Sequence, residues 1–316
     1  MSNASQNISS FRSGPRQFDL IGDIHGHADE LENLLGKLGY QQRRGSFRHP
    51  AGRRVLFLGD YIDRGPDIRR VLPIVRAMTE EGQALAIAGN HEVNALKFAQ
   101  RDETGAFLKE HSQWNQQVHA ACLEQIAIPH PREWAEWLQW FRELPLYLDL
   151  GDLRMVHACW NADAIKQIGP INPLTEQNLL RYGGKNTPEN ALLGNLINGP
   201  EATMPEPHVQ KCGDGKHRAE IRIRWWISGQ NQTCADLIFP PSRDIPPVPP
   251  AVLPATREYG PEELPVFFGH YALKQSTLHP QKNNVACLDY GIGKGGFLAA
   301  YRWNGERTLA KTNFIR

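Results

Sequence analysis

Asp, His and Asn follow glycine at three points in the first hundred residues. The segments are Gly22-Asp23-Ile24-His25-Gly26, Gly59-Asp60-Tyr61-Ile62-Asp63-Arg64-Gly65 and Gly89-Asn90-His91-Glu92. Carboxylate, imidazole and a neutral amide oxygen together suit Mn, Fe(II) or Zn better than a thiolate site would. In an extended turn Asp23 and His25 lie on the same side and can chelate one ion. Paired ions in two-metal hydrolases sit about 3.5–4 Å apart, lower the pKa of a shared water and neutralise phosphate oxygens. Such a centre is completed by a positioned acid for the departing oxygen and by an Arg fork on the non-bridging oxygens.

These side chains need a frame, and the apolar pattern supplies one. The runs 18–21, 55–58 and 84–88 are short, apolar and each followed within a residue by glycine, as expected of buried strands. Between them, Leu31, Leu34, Leu35 and Leu38 recur at helical spacing up to Gly39. Residues 68–78 do the same, with Pro73 a predicted kink. Alternating strand and helix indicates an α/β domain, and parallel strands would bring the three loops to one sheet edge. A tight hairpin is predicted over 146–156, delivering His157. A strand over 266–268 delivers Gly269-His270. Beyond Glu92 a mostly helical stretch is expected, whose stripe Trp134, Trp137, Leu138 and Phe141 fits core packing. Closing strands are expected at 285–288, 297–303 and 308–314.

Composition bounds the class. The chain has 316 residues, 41% hydrophobic and 22% charged, with 35 Lys and Arg against 34 Asp and Glu. No global field points to nucleic acid or membrane. Five scattered cysteines without a C-x-x-C pair argue against a disulfide framework or zinc knuckle and suit a reducing cytoplasm. No apolar run approaches the ~18 residues of a membrane span. Residues 1–17 are polar and predicted to form a disordered lead-in. Residues 18–316 are expected to form one domain with insertions at about 94–145 and 161–262. From Asn161 to Gly215 the pattern weakens. The Pro-rich stretch 240–265 is predicted to be an extended connection, and an SH3-type ligand reading of Pro246 to Pro250 is disfavoured.

The blocks GDIHG, GDYIDRG and GNHE, in that order, resemble the calcineurin-like metallophosphoesterases, phosphoprotein-phosphatase branch. The resemblance implies a four-layer sandwich of two mixed β-sheets flanked by helices. It implies two divalent ions, manganese first, with iron, zinc or magnesium as alternatives. Asp23 and His25 would bind the first ion, Asp60 would bridge both, and Asn90, His157 and His270 would bind the second. His91 would be the general acid, held by Asp63, and Arg64 would contact phosphate. A metal-bridging hydroxide would attack phosphorus directly, without a phosphoenzyme. The later blocks depart from the family. His157-Ala158-Cys159 stands where HGG is frequent, and Gly269-His270-Tyr271 where GHT is frequent. The tail Cys287-Leu288-Asp289-Tyr290-Gly291 resembles bacterial members, including symmetrical diadenosine tetraphosphatases.

One local patch stands apart. From Ile221 to Ile227 the alternation predicts a strand with Arg222, Arg224 and Trp226 on one face. That face is either a second phosphate clamp or base-stacking platform, or an exposed face whose arginines pair with acids. Metal-dependent hydrolysis of a phosphate monoester, or of a phosphoanhydride, in the cytoplasm is the leading expectation, on a phosphoprotein, nucleotide or small phosphoester. Cleavage of dinucleoside polyphosphates by a symmetrical hydrolase is the alternative. A catalytically silent metal-binding scaffold is the alternative from another class. His91, Asp63 and Arg64 all accompany the ligand set, which speaks against silence.

Overall fold

The computed structural model describes residues 8, 10–14, 16–169, 174–184, 187–203, 210–211, 217–218, 220–227, 233–240, 258–274 and 277–316. The expected strand–helix alternation is present. Strand β1 (Phe18–Ile21) leads to helix α1 (Ala28–Leu38), which buries Leu31, Leu34, Leu35 and Leu38 and stops at Gly39 in the left-handed region. A hairpin of β2 (Gln41–Arg43) and β3 (Ser46–Arg48) precedes β4 (Arg54–Phe57). Helix α2 (Ile68–Glu80) accommodates Pro73 and buries Val71, Leu72 and Val75. Then come β5 (Ala84–Ala86) and α3 (Asn90–Ala99).

Registers explain how the first three loops meet. Strands β1 and β4 pair in parallel, Ile21 opposite Phe57, and β4 pairs in parallel with β5, Phe57 opposite Ala86. All three therefore end level, and the segments after them emerge side by side. Strands β17 (Ala300–Trp303) and β18 (Phe314–Ile315) complete this sheet in the order β18-β17-β1-β4-β5, with β17 antiparallel to β1.

The second sheet has the order β14-β13-β7-β6. The hairpin of β6 (Tyr147–Asp149) and β7 (Arg154–Val156) turns at Gly151. Strand β13 (Val266–Phe268) lies parallel to β7 and to β14 (Val285–Cys287). His157 and His270 thus leave neighbouring parallel strands at the same end. The two sheets share one apolar core, with Phe267 of one 5.1 Å from Tyr301 of the other between ring centroids. This is the expected pair of mixed sheets flanked by helices.

The helical stretch after α3 comprises α4 (Gln113–Val118), a short turn α5 (Ala120–Cys122), a π-helical turn over Leu123–Ala127 and α6 (Pro131–Glu143). Helix α6 buries Trp134, Trp137, Trp140 and Phe141, so the Trp stripe is core, with Leu138 at its margin.

Four expectations need correction. The lead-in is not wholly without structure, because Phe11 is 1% exposed and stacks on Phe18, with the Arg54 guanidinium over its ring. Phe11 anchors it together with polar ties, Arg12 to the Asp149 carbonyl, Arg16 to Asp152 and Arg54 to the Ser10 carbonyl. Second, the weak region after Asn161 holds three helices, α7 (Ala162–Ile168), α8 (Glu176–Gly183) and α9 (Pro188–Asn198). Asn161, Thr175 and Thr187 cap them by accepting backbone N–H groups. Third, the strand at Ile221 stops early. Strand β8 (Glu201–Thr203), a ribbon of β9 (Gln210–Lys211) and β10 (His217–Arg218), β11 (Glu220–Ile223) and β12 (Ile238–Phe239) follow α9, and β12-β11-β8 form a small antiparallel sheet. Fourth, the last closing strand begins only at Phe314, after a 3-10 turn at Lys311–Asn313. The pair β15 (Asp289–Tyr290) and β16 (Phe297–Leu298) flanks a Gly-rich loop. The stretch Pro246 to Pro250 and Cys212 lie outside the described residues. Cys122, Cys159 and Cys287 are free and buried, and Cys234 is buried as well. No helix among the described residues is long and apolar enough to cross a membrane.

Candidate metal centre

Backbone strain marks the site. Among the described residues, non-glycine residues with positive φ are His25, Arg44, Asp60, Asp63, Arg64, His270 and Ala272. Five of these belong to the predicted constellation. Such conformations cost about 1–3 kcal/mol each and persist only where the surroundings enforce them. The turn at Asp23–His25 is therefore not extended, as His25 sits at φ 46. Cross-ties hold it there. The Asp60 carbonyl accepts the N–H groups of Ile24 and His25, and the Tyr61 carbonyl accepts that of Gly26.

Glu92 ties the other two loops. Its carboxylate accepts from Asp60 N at 2.9 Å, Gly89 N at 2.8 Å and Tyr61 N at 2.8 Å. Burial and the Asp60 charge nevertheless push Glu92 up to about 7. The sequence reading assigned Glu92 no role. Its place at the third residue of α3, from which a Glu side chain can reach back to the N–H of the residue before the helix, was the available signal.

The donors converge. His25, Asp60 and His91 offer ligand atoms all within 4.8 Å of one another, and so do Asp60, His157 and His270. Asp60 is common to both groups. Around the second group, His157 Nε2 lies 3.3 Å from Asp60 Oδ1 and 3.0 Å from Asn90 Oδ1, and His270 Nδ1 lies 2.8 Å from Asn90 Oδ1. On the other side His25 Nε2 lies 3.6 Å from Asp60 Oδ2. Asp23 joins through its carboxylate, which accepts the His270 N–H at 3.1 Å.

The fit to cations can be tested on these contacts. Donors about 2.1 Å from a common ion stand roughly 3.0–3.4 Å apart, close to the spacings seen. Ring orientation agrees. His25 Nδ1 donates to the Ile62 carbonyl at 2.9 Å and His157 Nδ1 to the Leu58 carbonyl at 2.7 Å. A carbonyl can only accept, so each ring turns Nε2 inward, the orientation metal-ligating histidines take. The charges agree as well. Burial, then Asp289 and Asp60, push Asp23 well above the carboxylate range. Burial would lower His157, but Asp60 outweighs it and carries the ring up to about 10. The pocket attracts positive charge. Space is reserved too, since a Cβ on Gly89 would lie 2.2 Å from Asp60 Oδ1, and one on Gly269 2.0 Å from Asp23 Oδ1. The residues present fit a cation pair.

His91, one of the first donor group, also faces Asp63 and Arg64. Asp63 Oδ2 lies 2.5 Å from His91 Nδ1. Arg64 is exposed and spans the mouth, Nη1 3.1 Å from His25 Nε2 and Nη2 3.2 Å from His91 Nε2. Two groups that the sequence reading passed over also belong here. His119, which is buried, bonds to Asp63. No local signal marks it, because its partner lies 56 residues away. Lys294 sits at the end of a 3-10 turn over Ile292–Lys294. The preceding Gly293 abuts Arg64 and His25, where a Cβ would meet their side chains at 2.6 and 3.0 Å. Burial and then the Arg64 charge lower the Lys294 ammonium.

The predicted basic face divides. Arg222 comes near enough for its charge to lower His270, after the larger effect of burial, and its guanidinium lies 6.0 Å from the Tyr271 ring centroid. Arg224 instead has Asp236 as its charged neighbour. Trp226 is no stacking platform. Alternation ends at Ile223, and both Trp225 and Trp226 are buried against Phe268. Trp225 Nε1 donates to the Ala158 carbonyl at 2.9 Å, and Tyr271 donates its hydroxyl to the Ile223 carbonyl at 2.8 Å. Thus the residues after His157 and His270, where the sequence departs from HGG and GHT, are the ones that dock this strand.

Comparison with known proteins agrees. The model of a family described as calcineurin-like phosphoesterase matches residues 17–200, more than half of the chain. The chain is similar to the asymmetrical bis(5'-nucleosyl)-tetraphosphatase PrpE of Oceanobacillus iheyensis, 33% identical over 145 residues, 45% of this chain and 55% of the relative. The like-named protein of Halalkalibacterium halodurans is 36% identical over 138 residues, 36% of this chain and 56% of the relative. The matches span little more than half the length of these relatives. A cold-active protein-tyrosine phosphatase of a Shewanella species superposes with a TM-score of 0.51 at 18% identity, over 94% of this chain and 81% of that one. That likeness is one of fold.

Proposed function

This chain belongs to the calcineurin-like phosphoesterase family, and on that premise we propose that it is a metal-dependent phosphoesterase that hydrolyses phosphate monoesters. One observation carries the reading: Asp60 is shared by two donor groups, and His91, Asp63 and Arg64 line the same pocket. Asp23 and His25 would hold one ion, Asn90, His157 and His270 the other, and Asp60 both. When bound, such a pair supplies Lewis acidity toward phosphate oxygens and lowers the pKa of a water.

The chain's own groups do the rest. Arg64 presents a planar fork to the non-bridging oxygens of the phosphoryl group. Asp63 accepts a hydrogen bond from His91 Nδ1–H, which leaves Nε2 facing the mouth; once the Arg64 guanidinium turns from Nε2 to the phosphoryl oxygens, His91 in its doubly protonated form gives the Nε2 proton to the departing oxygen. Glu92 and the backbone ties hold the three loops, so the site is organised before substrate arrives. The test is turnover of p-nitrophenyl phosphate by the purified chain with Mn²⁺, with chelator, and after metal is restored. Metal-dependent turnover is expected. Confirmed metal content with no turnover would favour a silent scaffold.

A second reading is hydrolysis of a dinucleoside polyphosphate. Two observations favour it: the names of the two bacterial relatives, and the cations Arg64, Arg222 and Lys294 around one mouth, more than a single phosphoryl group requires. Diadenosine tetraphosphate turned over well above phosphopeptides would select this reading. Two ADP molecules as products would mark symmetrical cleavage, and ATP with AMP the asymmetrical kind.

A further inference from the structure

Asp63 carries two imidazoles, and the proposed chemistry uses only one. The carboxylate is 1% exposed. His91 Nδ1 lies 2.5 Å from Oδ2, and His119 Nδ1 lies 2.8 Å from Oδ1. An ionised carboxylate only accepts, so each ring puts an Nδ1–H on it. Burial alone would raise Asp63, but the bonds from His119 and His91 outweigh it and hold the group well below the usual carboxylate range. The Cys122 thiol packs on the same group, and burial and the Asp63 charge keep it protonated.

His119 does not arrive there by chance packing alone. The chain breaks its helix around it: α4 ends with His119 as its C-cap, α5 is a single short turn, and a π-helical turn follows. Helix α4 itself buries no residue, yet His119 is buried. Its ring packs against Phe98, 5.3 Å away, and Trp134, 5.7 Å away, by centroid distance. Those rings come from α3 and α6, so moving the imidazole off the carboxylate disturbs contacts with both helices.

A carboxylate bonded to one imidazole can rotate about its last torsion and present either oxygen. Bonded at both oxygens from fixed directions, it cannot. We propose that His119 is a positioning residue: it locks the Asp63 carboxylate so that Oδ2 stays on His91 Nδ1, and so keeps His91 Nε2 aimed at the departing oxygen. The proposal rests on the reading of His91 as the acid. His119 touches neither substrate nor any proposed cation ligand.

A positioning role has a signature that a merely structural role lacks. Proton delivery matters little when the leaving group is a stable anion such as p-nitrophenolate, and much when it is an alkoxide. The experiment uses the full chain loaded with Mn²⁺ and compares wild type, H119F, H119N and H91N on p-nitrophenyl phosphate, phenyl phosphate and an alkyl phosphate. H119F is expected to lower kcat for the alkyl ester about tenfold more than for p-nitrophenyl phosphate, with KM and bound metal unchanged. H119N, whose amide N–H can replace the imidazole N–H, is expected to recover most of that loss. In a D63N background H119F should have no further effect. Should H119F not fold, H119M removes the same donor. Equal losses on all three esters, or no loss, overturns the proposal. If H91N is itself insensitive to the leaving group, the acid reading of His91 fails first. If H91N is steep and H119F flat, only the role of His119 falls.

Discussion

The loops at the strand ends and the small sheet β12-β11-β8 are built on opposite principles. In the loops many polar groups are tied to another loop: His25 to Ile62, His157 to Leu58, Asp23 to the His270 N–H, and Glu92 to Gly89, Asp60 and Tyr61. The small sheet has apolar clusters of its own, around Ala202, Ile223, Cys234 and Leu237 and around Ile221 and Ile238. Its described ties to the centre are two hydrogen bonds, Trp225 to Ala158 and Tyr271 to Ile223, with the aromatic packing around them. Among the described residues the acid that faces Arg222 is Glu201, 3.9 Å away. Strained backbone needs many mutual constraints, whereas a sheet with its own apolar clusters needs only a firm dock. The chemistry should therefore fail when a loop tie is cut, and substrate handling should fail when the dock is loosened.

That contrast can be broken at four points. The largest effect is expected for Asp60→Asn, which weakens the ligand shared by both donor groups. A loss of several kcal/mol of transition-state stabilisation, about 10⁴-fold in kcat, should accompany reduced bound metal. Steady-state kinetics with elemental analysis reads both, and full metal content with near-normal kcat would remove Asp60 from the bridging position. Next, His91→Asn should keep its metals and lose about 10²–10⁴-fold in kcat on poor leaving groups. Retained activity would take the acid role from His91.

Trp225→Ala probes the other side. Deleting this buried ring should cost about 3–5 kcal/mol by urea denaturation of whatever unit unfolds with it. Turnover of p-nitrophenyl phosphate under native conditions should nonetheless stay within about threefold of wild type, because the side chain reaches Ala158 and Phe268 but none of the ties among the donor loops themselves. A collapse of turnover in folded protein would show that the two regions are not separable. The smallest effect separates the two arginines. Arg222→Ala should raise KM about tenfold, as expected of one lost charge-assisted contact, while Arg224→Ala leaves it within about twofold. Equal effects would return both to a common face.

Much of the centre was legible because its residues come in blocks. A carboxylate or amide next to glycine just past an apolar run is a local pattern, and three such patterns fixed Asp23, His25, Asp60, Asp63, Arg64, Asn90 and His91 as candidates. His157 and His270 were legible from position after a strand. Where the pattern was weak, over 161–198, the helices announced themselves only through caps. Thr187-Pro188 opens α9, but its apolar residues do not make a clean stripe. The face Arg222-Arg224-Trp226 misled because alternation presumes that the strand continues. Two adjacent tryptophans with buried surface to gain ended it.

By itself the sequence determined the donor types, their order and the alternation that brings strand ends level. Those follow from local spacing, since side-chain direction in strand and helix repeats at fixed periods. Only the tertiary structure decided that His119 lies on Asp63, that Lys294 stands at the mouth beside Arg64, and that Arg222 rather than Arg224 approaches His270. These pairings join residues far apart in the chain. They depend on how the loops cross once the core is buried, and no local period encodes that crossing.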